Sequence, residues 1–244
     1  MVIYGINAVM EALKAGRVIN VRAGRRKDQR LQQLLALAEQ QMVPVRRVRD
    51  DELDREARGA SHQGVVADVG EVRLYELDDL VRDAHAAPPA LLVVLDGIED
   101  PHNVGAILRS ADAAGAHGVI RQSRHAAPLT AAVGTASAGA LSHVKIADVV
   151  NIARAVEELK EAGIWTVALV GGAAQSYDRI DFAVPTALVV GAEGTGVRRL
   201  VRERCDFQAA IPMKGHVDSL NASVAAGIVL FEAVRQRRPK TAET

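Results

Sequence analysis

Three short stretches in the second half of this 244-residue chain carry residue types suited to chemistry. The first runs from Leu95 to Gly105 (LDGIEDPHNVG) and leads on to Arg109. Asn103 is placed to cap a helix that follows it. Gly105 leaves room for another backbone or a ligand to approach. Arg109 lies nearly two helical turns beyond Asn103, and a fixed guanidinium there suits a phosphate or a polar sugar. An ordinary capped helix with a surface arginine would carry the same residues. The second stretch is Val189 to Val197 (VVGAEGTGV). Glycine directly after a buried strand is typical of a nucleotide-like ligand, yet the spacing is neither G-x-G-x-x-G nor a P-loop, which disfavours NAD and ATP. Glu193, set among small residues, is free to reach a ligand; a plain glycine-rich turn is the alternative. The third stretch, Ile211 to Ser223 (IPMKGHVDSLNAS), offers Ser219 as a helix N-cap, with Asn221 and Ser223 at the opening of the last helix. Such small polar residues can be pure capping chemistry or can hold a ligand at a helix N-terminus.

Other chemistry finds less support. The single cysteine, Cys205, excludes an internal disulfide and a Cys-cluster zinc site, and fits a reducing compartment. His102 and Asp100 have no nucleophile spaced to join them. There is no G-x-S-x-G elbow and no H-E-x-x-H helix, and His62, His85, His117, His125, His143 and His216 are scattered. No metal is indicated.

The elements that must position these stretches form a strand–helix alternation from Leu91 onward. Strands are expected at 91–95, 118–120, 164–170, 187–190 and 209–211, and helices at 104–115, 151–162 and 221–237. That order predicts an α/β fold with a mostly parallel sheet flanked by helices, whose ligands bind beyond the carboxyl ends of the strands. Residues 1–72 read as a separate small α/β unit. Asn7 is placed to cap a helix through Lys14 with Gly16 as its stop, 28–42 form a second helix, and 18–23, 44–48 and 64–69 are strands. Residues 73–90, ending in HAAPPA, read as a linker with one short amphipathic stretch (Leu74, Leu77, Leu80, Val81).

Net charge is zero, so the whole molecule does not announce a polyanion partner. Locally, ten Lys or Arg between Lys14 and Arg49, Lys27 among them, face only Asp28 and Glu39. That excess suggests a nucleic-acid surface, with a solvated basic face as the alternative. Aromatic residues make up 3%, which argues against a stacking platform for single strands. The N-terminus lacks a signal-peptide pattern and no apolar run reaches the roughly 20 residues that cross a membrane. A soluble cytoplasmic protein is expected.

Taken in order, Asn103, Gly105 and Arg109, then GAEGTG (Gly191 to Gly196), then IPMKGHVDSLNASVA (Ile211 to Ala225) resemble the three motifs of the SpoU/TrmH family of SPOUT-class methyltransferases. YGINAV and HQGVVA (His62 to Ala67) resemble the small ribosomal-protein-like RNA-binding domain of some members. The resemblance implies S-adenosylmethionine-dependent 2′-O-methylation of a guanosine ribose in 23S rRNA, by a homodimer with its active sites at the subunit interface. It implies residues 91–244 as a methyltransferase domain ending in a trefoil knot, which chains almost never form. It places catalysis on Arg109, Asn103, Glu193, Ser219 and Asn221, and cofactor contacts on Gly191, Ile211 and Leu220. The alternatives are the same reaction on tRNA, or an RNA-binding protein without catalysis.

Overall fold

The computed structural model describes residues 1–26, 28–124 and 126–238, so Lys27 and His125 lie outside the described residues. Backbone contacts divide the chain into two compact units. One comprises Met1–Val72, Val104–Arg109 and Pro128–His143, and the other takes the remaining described residues.

The smaller unit is built on a four-stranded sheet in the order β1 (Val2–Tyr4), β4 (Val65–Val69), β2 (Val18–Ala23), β3 (Val45–Arg47). β4 runs antiparallel to both neighbours, and β2 and β3 are parallel. Helices α1 (Ile6–Lys14) and α2 (Gln29–Gln40) bury Val9, Leu13, Leu31 and Leu34 against Val21, Val65 and Ala67 of the sheet. Asp28 caps α2 by accepting from the Arg30 and Leu31 amides. Asn7 does not cap α1. The cap position is Gly5, at φ 91°, and the Asn7 side chain instead accepts from Arg30. Three of the unit's strands and α-helices had no expectation in the sequence: β1, the acidic helix α3 (Asp50–Glu56), whose single buried residue is Leu53, and α6 (Ala131–Ala136).

The larger unit is an eight-stranded sheet in which every pairing is parallel, in the order β10-β12-β9-β11-β6-β7-β8-β5. β6 (Leu91–Asp96) and β11 (Thr186–Gly191) lie at its centre, flanked by β7 (Gly118–Gln122) and β9 (Trp165–Leu169). All six residues of β6 are buried, as a parallel strand covered on both faces requires. β12 (Phe207–Ala210) and β8 (Ile146–Val149) follow outward, and β10 (Gln175–Ser176) and β5 (Leu74–Tyr75) form the edges. The segment read as a linker thus supplies the edge strand β5 and helix α4 (Leu77–Ala86), which buries Leu77 and Leu80 in the main core. α7 (Ile152–Glu161) packs Val156 and Leu159 into the same core and is capped by Asn151. α8 (Arg199–Arg204) buries Val201.

Two helices frame the site. α5 (Pro101–Ala113) is capped by Asp100, which accepts from the His102 amide, with Pro101 as the first helical residue. Asn103 is therefore inside the helix rather than its cap. A Cβ on Gly105 would stand 2.4 Å from that of Ala136, so the room this glycine leaves is filled by α6 and not by a ligand. α9 (Ala222–Arg237) is capped by Asn221, not by Ser219. Its far end is fixed by Arg237, whose guanidinium donates to the carbonyls of Pro89, Ala90, Phe182 and Val184 at 2.7–2.9 Å. Those carbonyls lie just ahead of β11 and at the start of β6. Arg237→Met keeps much of the stem but leaves these acceptors without their charged donor. It should lower the unfolding free energy by about 3 kcal/mol, read as a shifted urea midpoint.

Candidate active site

β6 and β11 are adjacent and in register, Gly191 opposite Asp96, so the two loops that leave their carboxyl ends start side by side. One leads into α5 and carries Asn103. The other is the glycine-rich loop and carries Glu193. In that loop Gly191 has no room for a side chain. A Cβ there would lie 2.0 Å from the Gly196 carbonyl carbon and 2.1 Å from the Val197 nitrogen. The chain doubles back on itself at this point, with the Gly196 amide bonded to the Ala192 carbonyl at 2.8 Å. Gly194 and Gly196 have φ of +78° and +65°, the left-handed region open to glycine, and positions where a side chain would meet nothing.

The third element arrives as the N-terminus of α9, and Asn221 joins the three. Its Oδ1 accepts from the Ser223 and Val224 amides at 2.9 and 3.3 Å and from the Ser223 hydroxyl at 2.6 Å. With the oxygen committed to the helix end, the amide nitrogen must point away from it. It donates to Asn103 Oδ1 at 2.8 Å and to Glu193 Oε1. A single side chain thus caps a helix and bridges two loops whose residues are 118 and 28 positions away. Asn103 is buried, whereas Glu193 and Asn221 are exposed.

The other expected site residues fall outside this trio. Arg109 follows Asn103 on α5, is exposed, and makes no hydrogen bond or ion pair among the described residues. Ser219 is exposed and donates to its neighbour Asp218 at 3.0 Å. Gly191 opens the glycine loop, and Ile211 and Leu220 bound an irregular, largely exposed segment with neither helix nor strand. Cys205 is half-buried. Burial pushes its thiol up to about 12 and Sγ donates to the Val201 carbonyl, so it supplies no thiolate nucleophile. Among the described residues no three His, Cys, Asp or Glu side chains are grouped to hold a metal ion, and no helix is long and apolar enough to cross a membrane.

The basic run of the smaller unit is more neutralised than its sequence window implies. Arg22 pairs with Asp68 and Glu56, Arg46 with Glu52, and Arg49 with Asp51. Arg17 and Arg47 are turned onto backbone carbonyls. Arg25 and Arg26 remain exposed and without ion pairs among the described residues.

Because Asn221 does two jobs, its replacements should separate them. Asn221→Ala removes the cap and should cost about 1 kcal/mol in thermal unfolding, while Asn221→Asp keeps the cap and should cost little. The aspartate nonetheless sets a carboxylate against Glu193, so a crystal structure of that variant should show Glu193 displaced from residue 221.

Comparison with known proteins places the chain in a family. Residues 90–231 match the model of the SpoU rRNA Methylase family, and residues 2–75 match that of the RNA 2′-O ribose methyltransferase substrate-binding domain. The chain is 44% identical to the 23S rRNA (guanosine-2′-O-)-methyltransferase RlmB of Pseudomonas putida, over 98% of this chain and 97% of that protein. It is 43% identical to an uncharacterized tRNA/rRNA methyltransferase of Mycolicibacterium gilvum, over 97% of this chain and 77% of that protein. Its fold superposes on the crystal structure of the SpoU methyltransferase AviRb from Streptomyces viridochromogenes in complex with AdoMet. The TM-score is 0.78 at 30% identity, covering 97% of this chain and 90% of that one. With a family model spanning more than half its length, and relatives matched nearly end to end, this chain belongs to the SpoU rRNA methylase family.

Proposed function

We propose that the protein methylates the 2′-hydroxyl of a guanosine ribose in 23S rRNA, using S-adenosylmethionine, in the cytoplasm. The observation that carries this reading is the convergence of Asn103, Glu193 and Asn221 at the carboxyl ends of β6 and β11. Ligands of parallel α/β sheets bind at such strand ends. In this reading residues 1–72 bind the RNA and 91–244 carry the transfer, with β5 and α4 of 73–90 packed into the larger unit. The last segment of the larger domain is threaded as a trefoil knot.

The residues present fit the cofactor. A nucleoside needs a close backbone approach and main-chain partners, and the glycine loop offers both, with open space at Gly194 and Gly196. Gly191, Ile211 and Leu220 hold it, largely through backbone groups. When bound, S-adenosylmethionine supplies a methyl group on a sulfonium, open to in-line displacement by an oxygen. The protein's task is to align the ribose hydroxyl and stabilise the charge it gains as its proton leaves. Arg109, always protonated, is suited to the second role as an electrostatic stabiliser rather than a base. Glu193 has one carboxylate oxygen held by Asn221, and the other orients the hydroxyl. Asn103 fixes Asn221, and Ser219 completes the set. Arg25 and Arg26 supply phosphate contacts, which position RNA without reading its sequence.

A second copy of the chain completes the assembly. α9 is apolar on more than its buried side. Val224 and Phe231 are each about half exposed and lie two turns apart on one face. A two-fold interface would cover both in each copy, at about 1.5–3 kcal/mol for each fully buried side chain. Sedimentation should show a dimer that Phe231→Glu converts to monomer; a monomeric parent would remove the homodimer from the proposal.

The reaction itself is tested by transfer of labelled methyl to 23S rRNA and, separately, to total tRNA, both from cells lacking the protein. One alkali-resistant ribose in 23S rRNA is expected, and Arg109→Ala should reduce kcat at least about a hundredfold. Labelling of tRNA alone would replace the substrate. An Arg109→Ala protein with near-normal turnover would end the role given to that arginine.

A further inference from the structure

The glycine-rich loop has a second anchor, at its base. Asp96, the last residue of β6, has a fully buried side chain. Its two carboxylate oxygens are held by a single residue, Arg198, which immediately precedes α8. Oδ2 accepts from the Arg198 backbone amide at 2.7 Å, Oδ1 accepts from Nε at 2.7 Å, and Nη2 stands 2.5 Å from Oδ1. Nη2 also donates to Oε1 of Gln122, the last residue of β7, at 2.9 Å. The same Asp96 lies in register with Gly191. The loop from 191 to 198 is therefore tied to one residue at both ends, by strand pairing where it leaves the sheet and by a buried carboxylate where it ends.

That arrangement answers a specific need. A loop containing Gly191, Gly194 and Gly196 loses more backbone freedom on ordering than one of ordinary residues, so it gains from anchors beyond its own internal bond. Between its ends it has the bridge from Ala192 to Gly196 and the bond from Asn221 to Glu193. A buried carboxylate is costly unless paired and hydrogen-bonded, so Asp96 strongly favours the state in which Arg198 is in place. Closing the base fixes where Glu193 can reach.

Building on the methyltransferase reading above, we infer that Asp96 is a positioning residue for the reaction. Its carboxylate grips Arg198, keeps the glycine loop closed over the cofactor, and so presents Glu193 to Asn221. Neither Asp96 nor Arg198 need touch the reacting atoms.

The test uses the full chain with Asp96→Asn, Arg198→Met and Arg198→Lys. Three quantities are measured: amide hydrogen exchange across 190–199, titration with S-adenosylhomocysteine, and steady-state methyl transfer to 23S rRNA. Asp96→Asn should speed exchange in the loop while β7 and β9 keep their protection. It should weaken S-adenosylhomocysteine and lower kcat by about tenfold each, the scale of one charged hydrogen bond. KM for the RNA should stay within about twofold, a split that general loss of structure would not give. Arg198→Met should move the same quantities in the same direction. Arg198→Lys, which can still donate a charged bond to the buried carboxylate, should recover most of the loss. Native exchange in the loop of Asp96→Asn overturns the inference, and so does a loosened loop with unchanged kcat and cofactor affinity. Where Asp96→Asn does not fold, Arg198→Met decides on the same terms, because it leaves the carboxylate its backbone partner. A parent protein that transfers no methyl defeats the methyltransferase reading instead, and the exchange and titration arms still decide for or against Asp96.

Discussion

The site rests on the parallel pairing of β6 with β11. Asp96 and Gly191 end their strands opposite one another, and each strand is followed at once by a loop with a polar task. Because both strands are buried on both faces, a slip in their register would drive the polar residues at their ends into the apolar interior. The register is thereby specified by the core, and the core specifies the distance between Asn103 and Glu193. The N-cap of α9 reaches across to both Asn103 and Glu193. The helix begins at this cap, Asn221, and ends with Arg237 on the carbonyls around the starts of the same central strands. The helix therefore runs from the carboxyl ends of the central strands to their amino ends, pinned by polar contacts at both ends and by Ala226, Val229 and Leu230 between them.

Much of this was legible in the sequence wherever burial alone dictates residue type. β6, β9 and β11 are continuous apolar runs, and α7 has an amphipathic face behind an Asn cap. What escaped were elements with little to bury. α3 contributes only Leu53, and β5 and β10 are two-residue edges. The sequence also misplaced helix caps by two or three residues, at Asn7, Asn103 and Ser219. Several small polar residues lie near the starts of α5 and α9, and which of them caps the helix is settled by the fold, while α1 starts on a glycine with no side-chain cap. At α5 the difference bears on the candidate site. Asp100 and Pro101 start the helix, and that frees Asn103 to accept from Asn221. The basic run was misjudged for a related reason. Its window closed at Arg49, one residue before the acidic helix that folds back to pair with it.

The pairing of Asp96 with Arg198 had no signature in the sequence, since the partners are 102 residues apart and nothing in the stretch that holds Asp96 points to Arg198. The three family-like stretches were visible as separate patterns. That a single amide, Asn221, would tie them together follows only from the direction in which a capping oxygen turns its nitrogen.

That tie has a consequence for the order in which parts of the protein form as it is made. The small N-terminal sheet is complete by Val69, and Asn103 emerges soon after it. Glu193 and then Asn221 emerge much later, the last of them 118 residues behind Asn103. A nascent chain can thus complete its small N-terminal sheet well before the bridge between Asn103, Glu193 and Asn221 has left the ribosome. The first sheet therefore precedes the three-residue bridge during synthesis, and emergence of Asn221 at the start of α9 is the step that separates them.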